Sequence, residues 1–336
     1  MLRTLTAIVC SSAKQGDADL TSMGKFHLDT DLGGDIDDLC ARAMVLNWPE
    51  VELVAVTTVS DDQGRRAGYA RYALDLAGRR DVPVCAGADV SDGYYHPLRP
   101  GFPDENAYWS KGIQPLPGPA DDAIALLKRS VEQGATIAPS GPLTNLALVE
   151  RRWPGVLRNA HVVLMGGHVF PPRKGFPQWG RDMDYNLQVD VRSAEYILRN
   201  SSPTLVPLSV TVETALRRAH LPALREAGPM GQLLARQAEA FAKDETMETR
   251  FGRTCDGLPH DIINFLHDPL ACAIALSWNK GVEIREIPVK SEIMDGALHQ
   301  TVDSRGNPTK VVTSVNGSEF SDFCLSAVTR SEKPNL

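Results

Sequence analysis

The chain has 336 residues, a length that allows one large domain or two of ordinary size at roughly 150 residues each. Its 35 basic and 42 acidic side chains give a formal net charge of −7, which argues against generic binding to a nucleic-acid backbone. Hydrophobic residues make up 43% and charged residues 23% of the chain, an ordinary globular composition that argues against disorder.

The cysteines and the N-terminal segment indicate in which cellular compartment the protein is expected. The six cysteines form no CxxC pair, so their spacing indicates neither a zinc site nor a disulfide framework and suits reduced thiols in the cytosol. No apolar run approaches the roughly 18 residues that cross a bilayer, so no membrane partner is expected. The apolar stretch Leu5–Cys10 is shorter than the core of an ordinary signal peptide. We therefore expect residues 1–22 to be a disordered extension or an upstream start, followed by one domain over 23–336.

From Lys25 onward, short apolar runs alternate with amphipathic stretches. The predicted strands are Phe26–Asp29, Val51–Thr58, Val82–Ala86, Thr136–Ala138, His161–Met165, Val282–Val289 and Lys310–Ser314. The predicted helices are Ile36–Asn47, Gly64–Ala77, Asp121–Gln133, Leu143–Arg151, Leu221–Ala242 and Asp268–Leu276. Short strands that are apolar on both faces and separated by helices indicate a parallel sheet covered on both sides. The expected fold class is α/β, a single domain with a mostly parallel central sheet flanked by helices.

Two long segments, Ala88–Gly118 and 166–190, interrupt this alternation and are rich in Gly, Pro and aromatic residues. Loops of this length in a compact domain are usually lids or binding loops. Their aromatic side chains are candidates either for stacking on a ligand or for anchoring the loops. These residues are Tyr108, Trp109, Phe176 and Trp179.

The most informative segment is the acidic loop between the first predicted strand and the first predicted helix. It carries five carboxylates within ten residues, at Asp29, Asp31, Asp35, Asp37 and Asp38. Carboxylates this close raise one another's pKa unless a cation intervenes. The glycines at 33 and 34 allow a tight turn, and hard oxygen ligands at this density suit Ca²⁺ or Mg²⁺. Ligands of open α/β sheets also bind beyond the carboxyl ends of the strands, where this loop lies.

The carboxylates of the acidic loop also have other interpretations. Helix capping accounts for the carboxylates after the glycines but not for Asp29 and Asp31 before them. An EF-hand loop counted from Asp29 would need Glu where Cys40 stands. Asp29-Thr30-Asp31 also fits the strand–DxD start of a phosphatase of the haloacid dehalogenase type, and a nucleotide-sugar transferase DxD is a weaker match. Phosphoryl transfer therefore stays open as an alternative.

Six short motifs, in order along the chain, carry a family resemblance. Residues 29–41 read DTDLGGDIDDLCA and resemble a long form of the DxDxGxDDxxA signature of the inosine–uridine nucleoside hydrolase family. The other five are Glu52–Ser60 with its TTV ending, Ser140–Asn145 (SGPLTN), Met165–Gly167 (MGG), Asp184-Tyr185-Asn186 with Asp190, and His267–Ala271 (HDPLA). The resemblance covers residues 26–330. Ser140 stands where the family has Thr, and Asp184 where it usually has Glu.

This resemblance implies an enzyme that hydrolyses the N-glycosidic bond of ribonucleosides to ribose and a free base. It implies one Ca²⁺ held by the carboxylates of Asp31, Asp38 and Asp268 and by the backbone carbonyl of Ser140. It also implies that ribose hydroxyls are held by Asp37, Asp62, Asp184 and Asn186. The expected partner is a small-molecule ribonucleoside, with no nucleic acid or membrane, and homodimers or homotetramers are the default for such enzymes.

The chemistry explains these residue types. Glycosidic cleavage passes through an oxocarbenium-like transition state, so a floor of carboxylates stabilises the positive charge that builds on the sugar. Asp31 is the candidate general base, and His267 the candidate acid near the departing base. His267 also has a purely structural interpretation as a hydrogen-bonding partner, and Asn186 as a turn cap. A relative that binds sugar without productive acid catalysis is the non-enzymatic alternative.

Overall fold

The computed structural model describes residues 24–89, 105–109 and 112–330, with the side chain of Asp62 left out. The extension predicted at residues 1–22 lies outside the described residues, so it stays a prediction. Within the described ranges no helix combines the length and the apolar character that crossing a membrane requires.

The described chain alternates strands and helices from its start. The strands are β1 (Gly24–Thr30), β2 (Val51–Thr58), β3 (Val84–Cys85), β4 (Thr136–Ser140), β5 (Val163–Met165), β6 (Thr204–Val206), β7 (Leu216–Arg217), β8 (Ile262–Asn264), β9 (Glu283–Met294), β10 (Ala297–Val302) and β11 (Asn307–Ser314). The helices are α1 (Asp37–Leu46), α2 (Arg65–Leu76), α3 (Glu105–Tyr108), α4 (Ala120–Glu132), α5 (Thr144–Arg152), α6 (Tyr185–Gln188), α7 (Val191–Asn200), α8 (Leu208–Thr211), α9 (Leu221–Glu226), α10 (Gly228–Glu245), α11 (His267–Ala275) and α12 (Gly317–Val328).

The central sheet is mostly parallel, which confirms the predicted fold class. Four parallel strands in the order β3-β2-β1-β4 form one part, and β5-β6-β11-β9-β10 form the other. One parallel bridge between Ile137 and Val162 joins the two parts, with a 2.9 Å hydrogen bond from the Ile137 amide to the His161 carbonyl. Parallel pairing continues to β11, and β9 pairs antiparallel with both β11 and β10. A separate two-stranded sheet pairs β7 antiparallel with β8.

Two apolar clusters pack against this sheet. The larger includes side chains of α1, α10, α11 and α12, such as Leu39, Leu234, Leu270 and Phe320. The smaller fills the space around β4, β5 and β6 with side chains of α4, α5 and α7, among them Leu127. These clusters fix the ends of the parallel strands and the first turns of α1 and α11, from which the acidic side chains project.

The structure differs from the prediction at the long helix expected over Leu221–Ala242. Two helices, α9 and α10, occupy this stretch. Gly228 has a φ of 75°, a left-handed conformation that favours glycine and ends the first helix. Pro229 then suits the first turn of the second helix, because an amide there has no intrahelical partner.

Candidate active site

The acidic loop lies where the parallel strands end. The register places Thr30, the last residue of β1, beside Thr58 of β2 and Ser140 of β4. Gly33 has a φ of 120° and turns the chain toward α1. A Cβ at position 141 would lie 3.1 Å from the Cβ of Asp31, so glycine at 141 allows the β4 loop to approach the acidic loop closely. The predicted turn and its position beyond the strand ends are confirmed.

Three buried carboxylates form a compact cluster in this region. Asp37 and Asp38 come from the first turn of α1, and Asp268 from the first turn of α11. One oxygen from each lies within 4.8 Å of the others, and each residue is at most 4% exposed. Two oxygens on opposite sides of one Ca²⁺ are about 4.6–5.2 Å apart. The spacing and the hard oxygen donors therefore fit a shared cation.

The raised pKa values of the clustered carboxylates also favour a bound cation. Burial, followed by repulsion from Asp31, raises the pKa of Asp38 to about 8. Burial and repulsion among the neighbouring carboxylates raise the pKa values of Asp37 and Asp268 well above the ordinary value. A divalent cation offsets both effects, so this donor set suits a metal better than a metal-free state.

The sequence-predicted ligands Ser140 and Asp31 border this cluster. Ser140 ends β4, and its Oγ donates a 3.3 Å hydrogen bond to Oδ1 of Asp38. Asp31 is half-buried and lines the same cavity, and Asp37 is the third member of the three-carboxylate cluster. Burial raises the pKa of Asp31 to about 6 against the opposing charge of Arg66. The Arg66 guanidinium donates to the backbone carbonyls of Asp31 and Leu32, which holds the loop.

Asp29, the first carboxylate of the predicted loop, has a different environment. It is fully buried, and its Oδ1 accepts hydrogen bonds from Thr57 Oγ1 at 2.5 Å and Asn145 Nδ2 at 2.8 Å. Burial raises its pKa to about 7. Asp29 thus ties β1 to β2 and to the start of α5 and does not line the cavity.

A cavity of about 600 Å³ opens over the cluster, a size that suits a small-molecule ligand. One side, here called the strand-end wall, consists of residues that follow β1, β4 and β5 or begin α11. Its residues are Asp31, Asp37, Asp38, Ser140, Asp184, Asn186, His267 and Asp268. The other side, here called the α10 wall, consists of residues from α3, from the end of α10 and from the turn after it. Its residues are Tyr108, Phe241, Asp244, Glu245, Met247 and Arg250.

Asp184 and Asn186 are held against the end of β5. Asp184 caps α6, and its Oδ2 accepts a 2.6 Å hydrogen bond from the Gly167 amide. The Asn186 side-chain amide donates to the Met165 carbonyl at 3.1 Å. Both residues line the cavity with the acidic cluster, so the sequence motifs that follow three different strands meet at one place. The side chain of Asp62, also predicted to contact the ligand, lies outside the described residues.

His267 begins α11 next to Asp268 and lines the cavity. Its Nδ1 is 2.7 Å from Thr211 Oγ1, and its ring lies 5.3 Å from that of Phe265 and 6.1 Å from that of Trp179. Burial lowers the pKa of His267 to about 3, so the imidazole is neutral near pH 7.

The aromatic candidates of the two long loops divide between anchoring and cavity lining. Trp109 is 1% exposed and stacks on Tyr69 at 4.4 Å, so it is an anchor. Phe176 packs against the larger apolar cluster, while Tyr108 and Trp179 line the cavity.

Sequence reasoning assigned no role to several residues that shape the cavity. Asn264 donates a 2.5 Å hydrogen bond to Oδ1 of Asp35 and orients the exposed carboxylate of the loop. In the sequence, Asn264 could have been noticed as the one polar side chain in the apolar run directly before His267. Arg66 had a weaker signal. Within the α10 wall only Tyr108 was a candidate, and its pairing with Asp244 had no signal because the two residues are 136 positions apart.

Comparison with known proteins identifies a family. The family model described as inosine-uridine preferring nucleoside hydrolase matches residues 26–322. An uncharacterized protein of Schizosaccharomyces pombe is 31% identical over 267 residues, 73% of this chain and 77% of that protein. The pyrimidine-specific ribonucleoside hydrolase RihA of Klebsiella pneumoniae is 29% identical over 258 residues, 71% of this chain and 75% of that enzyme.

Solved structures share the fold at lower identity. The purine-preferring ribonucleoside hydrolase from Gardnerella vaginalis aligns with a TM-score of 0.71 and 22% identity, covering 91% of this chain and 98% of that one. An inosine-uridine preferring nucleoside hydrolase from Bacillus anthracis aligns with a TM-score of 0.66 and 18% identity, covering 91% and 99%. At these identities the likeness establishes the α/β fold of the chain.

Proposed function

The chain belongs to the inosine-uridine preferring nucleoside hydrolase family, and from this premise we propose a Ca²⁺-dependent ribonucleoside hydrolase. Hydrolysis of the N-glycosidic bond of ribonucleosides is the activity of this family, so the chain is an N-ribohydrolase. The observation that supports the finer proposal is the meeting of a buried carboxylate cluster with Asp184 and Asn186 in one cavity. No observation of the described residues favours phosphoryl transfer over this activity.

We propose that Asp31, Asp38, Asp268 and the Ser140 carbonyl hold the Ca²⁺. Asp38 and Asp268 belong to the carboxylate cluster, and repulsion from Asp31 contributes to the raised pKa values of both. When bound, the cation lowers the pKa of a coordinated water and neutralises the surrounding carboxylates. Asp37, the third member of the cluster, accepts a 3.1 Å hydrogen bond from the Asp268 amide at its Oδ2.

The remaining residues are proposed to bind the ribose and to assist the attack of water on it. Asp37, Asp184 and Asn186 accept or donate hydrogen bonds to ribose hydroxyls, and Asp62 is proposed for the same role. Asp31 takes the proton from the attacking water, because its carboxylate lines the cavity beside the cluster that would hold the Ca²⁺. The carboxylate-rich strand-end wall stabilises the positive charge that develops on the sugar.

His267 is the proposed acid near the departing base. Because its imidazole is neutral near pH 7, it stabilises the negative charge that develops on the base by a hydrogen bond from a ring N–H and keeps that proton, since losing it would leave an imidazolate. When the Thr211 hydroxyl donates to Nδ1, that proton lies on Nε2, the nitrogen available for donation.

Location and assembly complete the proposal. We propose a cytosolic enzyme, since the five cysteines within the described residues are free thiols. We propose a homodimer or homotetramer, which light scattering of the purified protein tests directly.

Release of reducing sugar from a panel of ribonucleosides tests the proposed function. We expect ribose release in the presence of Ca²⁺ and its loss after rigorous chelation, with recovery on adding Ca²⁺ back. The panel includes p-nitrophenyl riboside, whose leaving group departs readily as an anion without being protonated. Absence of ribose release from every substrate, with Ca²⁺ present, would refute the proposal in favour of a non-catalytic sugar-binding protein.

A further inference from the structure

The α10 wall presents hydrogen-bond acceptors to the cavity. The Tyr108 hydroxyl donates to Oδ2 of Asp244 at 3.1 Å, and Arg250 Nη1 donates to Oε2 of Glu245 at 2.8 Å. The strongest donors of this wall are therefore directed at its own carboxylates. Within the described residues, Oδ1 of Asp244 accepts no hydrogen bond and is available to a ligand.

Asp244 is held by a rigid support. Tyr108, its partner, is 3% exposed and belongs to α3, whose Ala107 carbonyl accepts a 3.0 Å hydrogen bond from Arg236 of α10. Glu105, at the start of α3, accepts a 2.9 Å hydrogen bond from the Tyr69 hydroxyl. The hydrogen bond from buried Tyr108 thus orients the exposed side chain of Asp244, which reduces the ordering left for ligand binding.

Among the residues that the structure describes, one carboxylate of the α10 wall, that of Asp244, has no ion-pair partner. Asp244 and Glu245 each carry a negative charge, and Arg250 carries the positive charge paired with Glu245. The other cavity arginine, Arg66, is directed at carbonyls of the acidic loop. A ligand edge that meets Asp244 is favoured when it donates hydrogen bonds and disfavoured when it presents a carbonyl oxygen.

We propose that Asp244 makes this enzyme prefer ribonucleosides whose base carries an exocyclic amino group. This inference rests on the proposed function, which places a nucleobase in the cavity beside the ribose site. Exocyclic amino groups of cytosine, guanine and adenine donate hydrogen bonds. Uracil has an accepting oxo group where cytosine has its amino group, and hypoxanthine has only a hydrogen where guanine has its 2-amino group. The preference runs opposite to the inosine and uridine of the family description.

Two matched substrate pairs test the proposal, cytidine against uridine and guanosine against inosine. The second pair differs only by the 2-amino group. We expect the wild-type enzyme to favour the amino member of at least one pair by about tenfold in kcat/KM, the effect of one charge-assisted hydrogen bond in a partly exposed site. In Asp244→Asn, whose amide both donates and accepts, we expect the ratio to fall to about one.

The control variant is Asp322→Asn, which makes the same chemical change on α12 outside the cavity and should keep the wild-type ratio. Rates on p-nitrophenyl riboside, which has no nucleobase, correct each variant for damage to the ribose site. Equal rates within both pairs, or a ratio that survives Asp244→Asn, would overturn the proposal.

A binding measurement separates this proposal from the proposed function. Calorimetry with the wild-type enzyme and the free bases cytosine and uracil, which have no bond to hydrolyse, measures the affinity for the base without turnover. A preference for cytosine that disappears in Asp244→Asn supports the role of Asp244 even when no ribose is released. Ribose release with no preference in binding or rate refutes this role alone.

Discussion

The two walls of the cavity differ in how the chain builds them. The strand-end wall places its carboxylates directly after β1 and at the first turns of α1 and α11, where sheet register and helix packing fix them. The α10 wall uses side chains from a four-residue helix, a helix end and an irregular turn. The first arrangement suits chemistry that every substrate requires, and the second suits contacts that vary with the substrate.

The same contrast appears in burial. Asp37, Asp38 and Asp268 are nearly inaccessible, whereas Asp244 and Arg250 are exposed. Interactions in a buried, water-poor site are strong, and interactions with exposed charges are weakened by solvent. Changes on the strand-end wall should therefore have larger effects on activity than changes on the α10 wall.

The largest effect is expected when the sugar loses the hydroxyl that the strand-end wall is proposed to hold. For inosine and 2′-deoxyinosine, we expect kcat/KM to differ by about 10⁴-fold, because buried polar groups lose their partner. Steady-state kinetics on the two nucleosides measure this ratio. Similar values would contradict the assignment of Asp37 and Asn186 to the ribose.

Replacing the proposed general base comes next. Asp31→Asn keeps the size of the side chain but removes the proton acceptor, so kcat should fall by about 10²–10⁴-fold. The Asp322→Asn variant serves as the matched control and should keep its rate. A rate for Asp31→Asn within threefold of the wild type would transfer the base role to another carboxylate.

The His267→Ala variant distinguishes acid catalysis from support of Asp268. Uracil and hypoxanthine leave poorly without a proton, so kcat on uridine or inosine should fall by about 10²-fold. On p-nitrophenyl riboside, which leaves readily as an anion, the loss should be small. Equal losses on both substrate types would indicate damage to the metal site instead.

The smallest expected effect concerns stability and its dependence on pH. In the metal-free protein the pKa values of Asp31 and Asp38 are raised to about 6 and 8, so the folded state binds more protons than the unfolded state above pH 4. Stability of the metal-free protein should therefore fall as pH rises from about 4 to 8. Bound Ca²⁺ should add about 3–4 kcal/mol at 100–1,000 times its Kd.

Thermal melts with Ca²⁺ or with a chelator, at pH 5 and pH 8, measure this linkage. The gap between the two melting temperatures should widen at pH 8, because the proton and the metal compete for the same carboxylates. A gap that is absent at both pH values would contradict a metal site in the cluster.

Much of the strand-end wall was predictable because its signals are local. The apolar run of β1, the glycine turn and the following aspartates lie within fifteen residues of Phe26, and both strand and turn formed as expected. Helix α7 carried a readable signal as well, since Val191, Ala194, Ile197 and Leu198 are buried at helical spacing. This helix was not predicted, because the loop before it shows no periodicity and no sequence signal marked where the helix begins.

The α10 wall was not predictable from local patterns. Tyr108 and Asp244, which form its central hydrogen bond, are 136 residues apart in sequence. Periodicity and motif spacing report neighbours along the chain, whereas this pairing depends on how α3 packs against α10. The closeness of Asp37 to Asp268 has a similar origin, because helices α1 and α11, which carry them, are distant in sequence and pack together.

The single bridge between Ile137 and Val162 gives the site a mechanical property. Backbone hydrogen bonds stiffen the pairing of β1 with β2 along its whole length, but the junction between β4 and β5 depends mainly on non-directional apolar packing. Asp37 and Asp38 follow β1 on one side of this seam, Asp184 and Asn186 follow β5 on the other, and α11, which carries Asp268, packs against strands of both sides. A ligand that contacts both sides bridges the seam and should stabilise the sheet there.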